Sequence, residues 1–244
     1  MPTVLYLSPH LDDVAFSASR HLVRHARSGD RCVVATVFTR SVPDPVGFAL
    51  RCQTDKGIDP SADYLAIRRD EDRTYVDRLN QAFAPERPVE AIHGDLPEAP
   101  HRGYESPPAL FGPPAADDDI GPAVDDLLRS WIDRYAVDRI IAPAGYGNHI
   151  DHRRVIDALP TDVPTAFYRD SPYVHRVPNA KPYVDAGRVC ETERLPPDPT
   201  IDGPIADAVA SYATQLPFQY GGEPEMRTAM TTQNQWIDST ETTA

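Results

Sequence analysis

Short apolar runs alternate along the chain with stretches in which apolar residues return every three or four positions. Residues 3–8 (TVLYLS) are the first run, suited to a strand buried on both faces. From Asp12 to about Arg27 the spacing turns helical through Val14, Phe16, Ala18, Leu22, Val23 and Ala26, and Gly29 is a natural stop. Residues 32–39 (CVVATVFT) are a second apolar run. Strand, helix and strand in close succession make the βαβ unit of α/β folds.

The alternation continues. Ser61 is placed to cap a helix over 62–83, and VEAIH (89–93) reads as a third strand. A helix over 122–136 leads into the strand DRIIAP (138–143), and a short helix begins near Asp151. VPTAFYRD (163–170) is a further strand, and a helix lies near 203–215. Residues 40–60 and 94–122 carry the proline and glycine of long loops, expected near the active site. Residues 171–202 read as irregular, and 217–244 as an irregular tail. With no internal repeat and no linker, the pattern predicts one domain over 1–244. Its fold class is α/β, Rossmann-like, with a mostly parallel sheet and helices on both faces. In such sheets ligands bind beyond the carboxyl ends of the strands.

Acidic side chains outnumber basic ones 37 to 24, a formal charge of −13. That disfavours nucleic acid and anionic membranes as partners and favours neutral or cationic ligands. The three cysteines, Cys32, Cys52 and Cys190, are odd in number, far apart and without a CxxC spacing, which points to reduced thiols and a cytoplasmic protein. The opening MPTVLYLSPHLDD lacks the basic n-region of a signal peptide, and no apolar run is long enough to span a bilayer.

Two polar stretches end predicted core strands. The first is SPHLDDVAF, after the opening strand. A nucleotide-binding turn would carry glycines here, and this one carries none. His10 and Asp13 are three apart across a strand-to-helix turn, so an imidazole and a carboxylate can converge on a metal, Zn²⁺ or another divalent transition metal. Asp12 then stays free to accept a proton. The competing reading is that Asp12 or Asp13 only caps the helix. The second stretch, PAGYGNHIDHRRV, follows DRIIAP. Gly145, Gly147 and Asn148 suit a tight turn, and His149 and His152 stand at i and i+3. A catalytic zinc site needs three protein ligands and one open position, so one of these histidines supplies the third ligand and the other is left to act on substrate.

Together SPHLDDV and NHIDH are similar to the paired motifs of the PIG-L/LmbE family of zinc-dependent N-deacetylases. AIRRDED (66–72), YRDSPYV (168–174) and ASYATQL (210–216) also resemble family stretches. The resemblance implies metal binding by His10, Asp13 and His152, a general base at Asp12, and a histidine acting on the oxyanion or leaving amine at His149. It implies a substrate-contacting arginine at Arg68 and an acidic substrate contact at Asp95 or Glu98. Leu11 stands where the family has proline. The implied reaction removes an N-acetyl group from an N-acetylglucosamine-type amino sugar or glycoside, as in natural-product assembly. A thiol-conjugate amidase and a non-catalytic sugar-binding relative are the alternatives.

Other polar positions carry weaker expectations. Asp170 and Tyr173 are placed to orient substrate or a histidine. His93 either lines a pocket or packs in the core. His21 and His25, among Arg20, Arg24 and Arg27, read as a solvated helix face.

Overall fold

Side chains along β1 (Thr3–Ser8) point alternately into two separate cores. Val4 and Tyr6 join one hydrophobic cluster, Leu5 and Leu7 the other. A strand buried on both faces needs helices on both sides. The computed structural model, which describes residues 1–177 and 179–240, has this layering. After β1 come α1 (Asp13–Arg27), β2 (Arg31–Phe38), α2 (Gly47–Thr54), α3 (Tyr64–Phe83) and β3 (Glu90–Leu96). The middle of the chain forms α4 (Pro107–Leu110), α5 (Gly121–Tyr135), β4 (Arg139–Pro143), α6 (Ile150–Asp157), β5 (Thr165–Tyr168) and α7 (Tyr173–Arg176). The last third forms β6 (Val189–Leu195), α8 (Asp202–Val209), α9 (Leu216–Gln219), α10 (Glu223–Thr232) and β7 (Gln235–Thr240). Helices α1, α3, α8 and α10 cover the face of Val4 and Tyr6, and α5 and α6 cover the face of Leu5 and Leu7. Among the described residues, no helix is long and apolar enough to cross a membrane.

The seven strands lie in the order β3-β2-β1-β4-β5-β7-β6. The first five pair in parallel, and β7 and β6 run antiparallel at one end. From β1 the chain first builds outward through β2 and β3, then returns to place β4 on the other side of β1. That reversal makes the β1/β4 boundary the topological switch point, where a crevice opens beyond the strand ends. Both polar motifs follow these two strands.

The structure corrects several readings. The loop over 40–60 contains α2, and that over 94–122 begins inside β3 and contains α4. Asp63, not Ser61, caps α3, its carboxylate accepting from the Ala66 amide at 2.8 Å. The stretch read as an irregular tail folds into α9, α10 and β7, and β6 lies within the segment read as irregular; residues 241–244 lie outside the described residues. This C-terminal part packs on α1 and buries Arg20 and His21 of its basic face, while Arg24 and Arg27 stay exposed as read. Arg20 and His21 are 2% and 1% exposed. The Arg20 guanidinium donates to Asp202 at 2.6 Å and to the Gln233 carbonyl at 2.7 Å, and also reaches the Met230 carbonyl. His25 meets the Tyr6 hydroxyl at 2.7 Å.

A buried cation whose partner is removed is strongly destabilising. Asp202→Ala is therefore expected to lower the unfolding free energy by about 3 kcal/mol, read by urea denaturation. A loss well under about 1 kcal/mol, the range of an exposed pair, would show that the pair is not buried in solution.

Candidate active site

The turn after β1 is built around Ser8. Its hydroxyl donates to the His10 carbonyl at 2.6 Å and accepts the Val14 amide at 3.2 Å, which folds Pro9–Asp13 back on the strand end. The His10 amide donates to Asp13 Oδ2 at 2.7 Å. Asp12 occupies the N-cap position of α1 but makes no side-chain cap bond, so capping does not account for its carboxylate. Leu11 is fully buried against Tyr64 and Leu65 of α3, and fastens the turn to the helix that carries Arg68.

The turn after β4 requires left-handed backbone at Gly145, Gly147 and Asn148 (φ 79°, 86° and 68°). At Gly147 space is also decisive, because a Cβ would lie 2.7 Å from the Tyr173 ring. This turn delivers His149 to the N-cap of α6, where its Nδ1 accepts the Asp151 amide at 3.2 Å. That bond fixes the neutral tautomer with its proton on Nε2.

Across the switch point the two turns meet. Asp13 Oδ2 lies 3.4 Å from His10 Nδ1 and 3.4 Å from His152 Nε2. Ligand atoms at about 2.0–2.1 Å from one tetrahedrally bound Zn²⁺ stand about 3.3–3.4 Å apart. His10, His149 and His152 each offer a ring nitrogen, all within 4.8 Å of one another. The far ring nitrogens are anchored by carboxylates: His10 Nε2 meets Asp151 Oδ2 at 3.0 Å, and His152 Nδ1 meets Asp170 Oδ1 at 2.6 Å. Such carboxylate–imidazole pairs orient metal-binding histidines.

The electrostatics match. Burial opposes charge on His10 and His152, yet the hydrogen bonds and charges of Asp13, Asp151 and Asp170 hold both imidazoles above their ordinary range, His152 at about 10. Burial raises Asp13, and the two imidazoles draw it well below the usual carboxylate range. The site thus favours positive charge between His10 and His152. His149 differs: burial and the neighbouring His10 push it well below the usual value and keep it neutral. Asp12 is raised to about 6 by burial, with the Arg68 guanidinium opposing and Asp13 adding to the rise.

Arg68 Nη2 lies 3.5 Å from Asp12 Oδ1, and Nη1 donates to Glu98 Oε1. Its Nε is buried and without a partner among the described residues. The guanidinium stacks over Tyr64, and the Lys56 ammonium lies over the same ring and over Phe218. Phe111 packs on the His149 ring nearly at right angles, ring centroids 5.4 Å apart.

Two expected substrate contacts are placed elsewhere. Asp95 is outside the cluster, its exposed carboxylate 3.4 Å from Arg40 Nε. Asp170 is 1% exposed and holds His152 and the Tyr146 amide, which leaves it no face for substrate. His93 is a packed core histidine, 2.8 Å from Asp72. Asp151, which anchors His10, went unread in the sequence; its position inside NHIDH was the only signal. AIRRDED and YRDSPYV each send a side chain to the cluster, Arg68 to Asp12 and Asp170 to His152, while Glu71 of AIRRDED accepts the amide and hydroxyl of Thr214 in ASYATQL and ties the two stretches together.

The profile of the PIG-L family (GlcNAc-PI de-N-acetylase) matches residues 5–161. The 2'-N-acetylparomamine deacetylase of Streptomyces fradiae is 33% identical over 174 residues, 69% of this chain; the chain spans 57% of that relative's length. The crystal structure of the pseudoaglycone deacetylase Dbv21 superposes with a TM-score of 0.80 at 23% identity, covering 100% of this chain and 98% of its own. The zinc-inhibited form of the teicoplanin deacetylase Orf2 superposes with a TM-score of 0.78 at 24% identity, covering 99% and 100%. With its two motifs converging at the switch point and the profile spanning both, the chain belongs to the PIG-L family.

Proposed function

We propose that the protein is a metal-dependent hydrolase that removes the N-acetyl group of an N-acetylglucosamine-type amino sugar or glycoside in natural-product assembly. The observation that carries this reading is the Asp13 carboxylate set 3.4 Å from both His10 Nδ1 and His152 Nε2, with Asp12 beside it and not spent on capping α1. The naming of the Streptomyces relative supports the substrate class.

His10, Asp13 and His152 would hold the metal, and two imidazoles with one carboxylate favour Zn²⁺. Bound there, Zn²⁺ supplies a Lewis acid for the acetamide carbonyl and lowers the pKa of a water toward ~7. Asp12 takes the proton of the attacking water. Arg68 holds that carboxylate in place and keeps its pKa down. His149 stays neutral and offers Nε2–H to the oxygen that gains charge as the tetrahedral centre forms. Because His149 has no proton to spare, Asp12 returns the proton to the departing nitrogen. Phe111, 39% exposed, gives an apolar surface against which a sugar ring can pack.

Acetate release from a panel of N-acetyl glycosides, with metal analysis of the purified protein, tests the reading. Metal-free protein without acetate release across the panel would favour a binding module. His152→Ala is expected to lose the metal; full occupancy would remove it from the ligand set. Asp12→Ala is expected to keep the metal and lose about 10²–10⁴ in kcat, and loss of metal in that variant would contradict the role. His149→Ala is expected to lose about 10²–10³ in kcat, and an unchanged kcat would dismiss it as the oxyanion donor.

The sign of the pH dependence follows from Asp12. The base must be ionised, so kcat/KM falls as pH drops through its pKa, at about 6 or lower once a cation sits beside it. Arg68 favours the ionised form, so Arg68→Met shifts this acid limb to higher pH. A limb that stays in place would dismiss the electrostatic role of Arg68.

A further inference from the structure

The loop between β3 and α5 is fastened to the metal-side histidine rather than draped over it. Asp151 is fully buried and accepts three hydrogen bonds: from His10 Nε2 at 3.0 Å, from the Ala99 amide at 3.0 Å and from Arg102 Nη1 at 2.8 Å. Two of the three come from the loop. Arg102 is held in turn. It donates to the Pro97 carbonyl at 2.9 Å and to Asp118 at 3.0 and 3.2 Å, and its guanidinium lies 5.1 Å from the Phe38 ring centroid and 5.8 Å from that of Tyr104. The Asp118 side chain is 1% exposed and also takes the Tyr104 hydroxyl at 2.8 Å and Arg154 of α6 at 3.3 Å. Tyr104 accepts the Ala115 amide at 3.0 Å, which ties in the far end of the loop. The same loop carries Phe111, packed on the His149 ring.

We propose that residues 97–118 are a clamp in which Arg102 and Asp118 act through Asp151 as positioning residues for His10. The clamp sets the metal affinity of the site and joins it to the cleft wall at Phe111. The inference rests on the metal-site reading above. Asp151 without Ala99 and Arg102 would be a buried carboxylate with one partner, an arrangement that burial disfavours. When the loop lifts, the plane of Asp151 and with it the ring of His10 lose their fix. The coupling is reciprocal. A cation on His10 Nδ1 strengthens donation from Nε2 to Asp151, so metal binding holds the loop down.

The test uses the full chain and two near-isosteric variants, Asp118→Asn and Tyr104→Phe. The Zn²⁺ dissociation constant is measured by competition with a chromophoric chelator, and cleavage within 97–118 is followed by limited proteolysis with and without Zn²⁺. Asp118→Asn is expected to weaken Zn²⁺ binding by about tenfold, the lower end for partners that orient metal ligands. Tyr104→Phe should weaken it less. Zn²⁺ should slow cleavage of the wild-type loop and have no such effect in His152→Ala. A wild-type dissociation constant in both variants, or cleavage indifferent to Zn²⁺, would overturn the clamp. Absence of His152-dependent Zn²⁺ binding in the wild type would instead overturn the reading of the metal site.

Discussion

Three buried carboxylates gathered around two imidazoles need positive charge fixed among them, and the architecture is arranged to hold them there. Asp13, Asp151 and Asp170 are each nearly or wholly removed from water. Such groups are tolerated when charge of the opposite sign is fixed among them. The requirement is met by residues from two turns far apart in sequence, which only the adjacency of β1 and β4 brings together. Glycines at one turn, Leu11 at the other and the Tyr173 ring against Gly147 all act to keep that approach close.

Much of this was legible in the sequence for a simple reason. Parallel strands covered on both faces are apolar throughout, so charged residues placed at their ends stand out. SPHLDD and NHIDH were visible on that ground, and so was their position at the carboxyl side of the sheet. What could not be read was pairing. Asp151 lies within the second motif, but its partner His10 is 141 residues away, and no local pattern announces that bond. Asp170 looked equally suited to substrate and to histidine until a distance of 2.6 Å to His152 decided it. Arg102 and Asp118 sit in a loop whose proline and glycine hide any periodicity.

The C-terminal part was misread for a different reason. β6 lies at the edge of the sheet and is largely exposed, so its sequence VCETERL has the polar character of a loop. β7 (QWIDST) and the helix before it, α10 (EPEMRTAMTT), are largely polar, with only Met226, Ala229 and Met230 of α10 buried. Without these elements the whole basic side of α1 seemed to face water; Arg24 and Arg27 do, but Arg20 and His21 are covered. The error at one end of the chain produced this partial error at the other. A basic helix face is ambiguous until the segment that covers it is known.

That cover has a consequence for how the chain comes to its folded state. The first βαβ unit has every local signal it needs, yet Arg20 in its helix finds its partners only at Asp202, Met230 and Gln233. During synthesis the N-terminal half emerges with an unneutralised guanidinium on a face destined for the interior. It cannot close that face until residues 230–235 have left the ribosome. The order of assembly is thereby set against the order of translation, and the early strands must wait, partly uncovered, for the last ones.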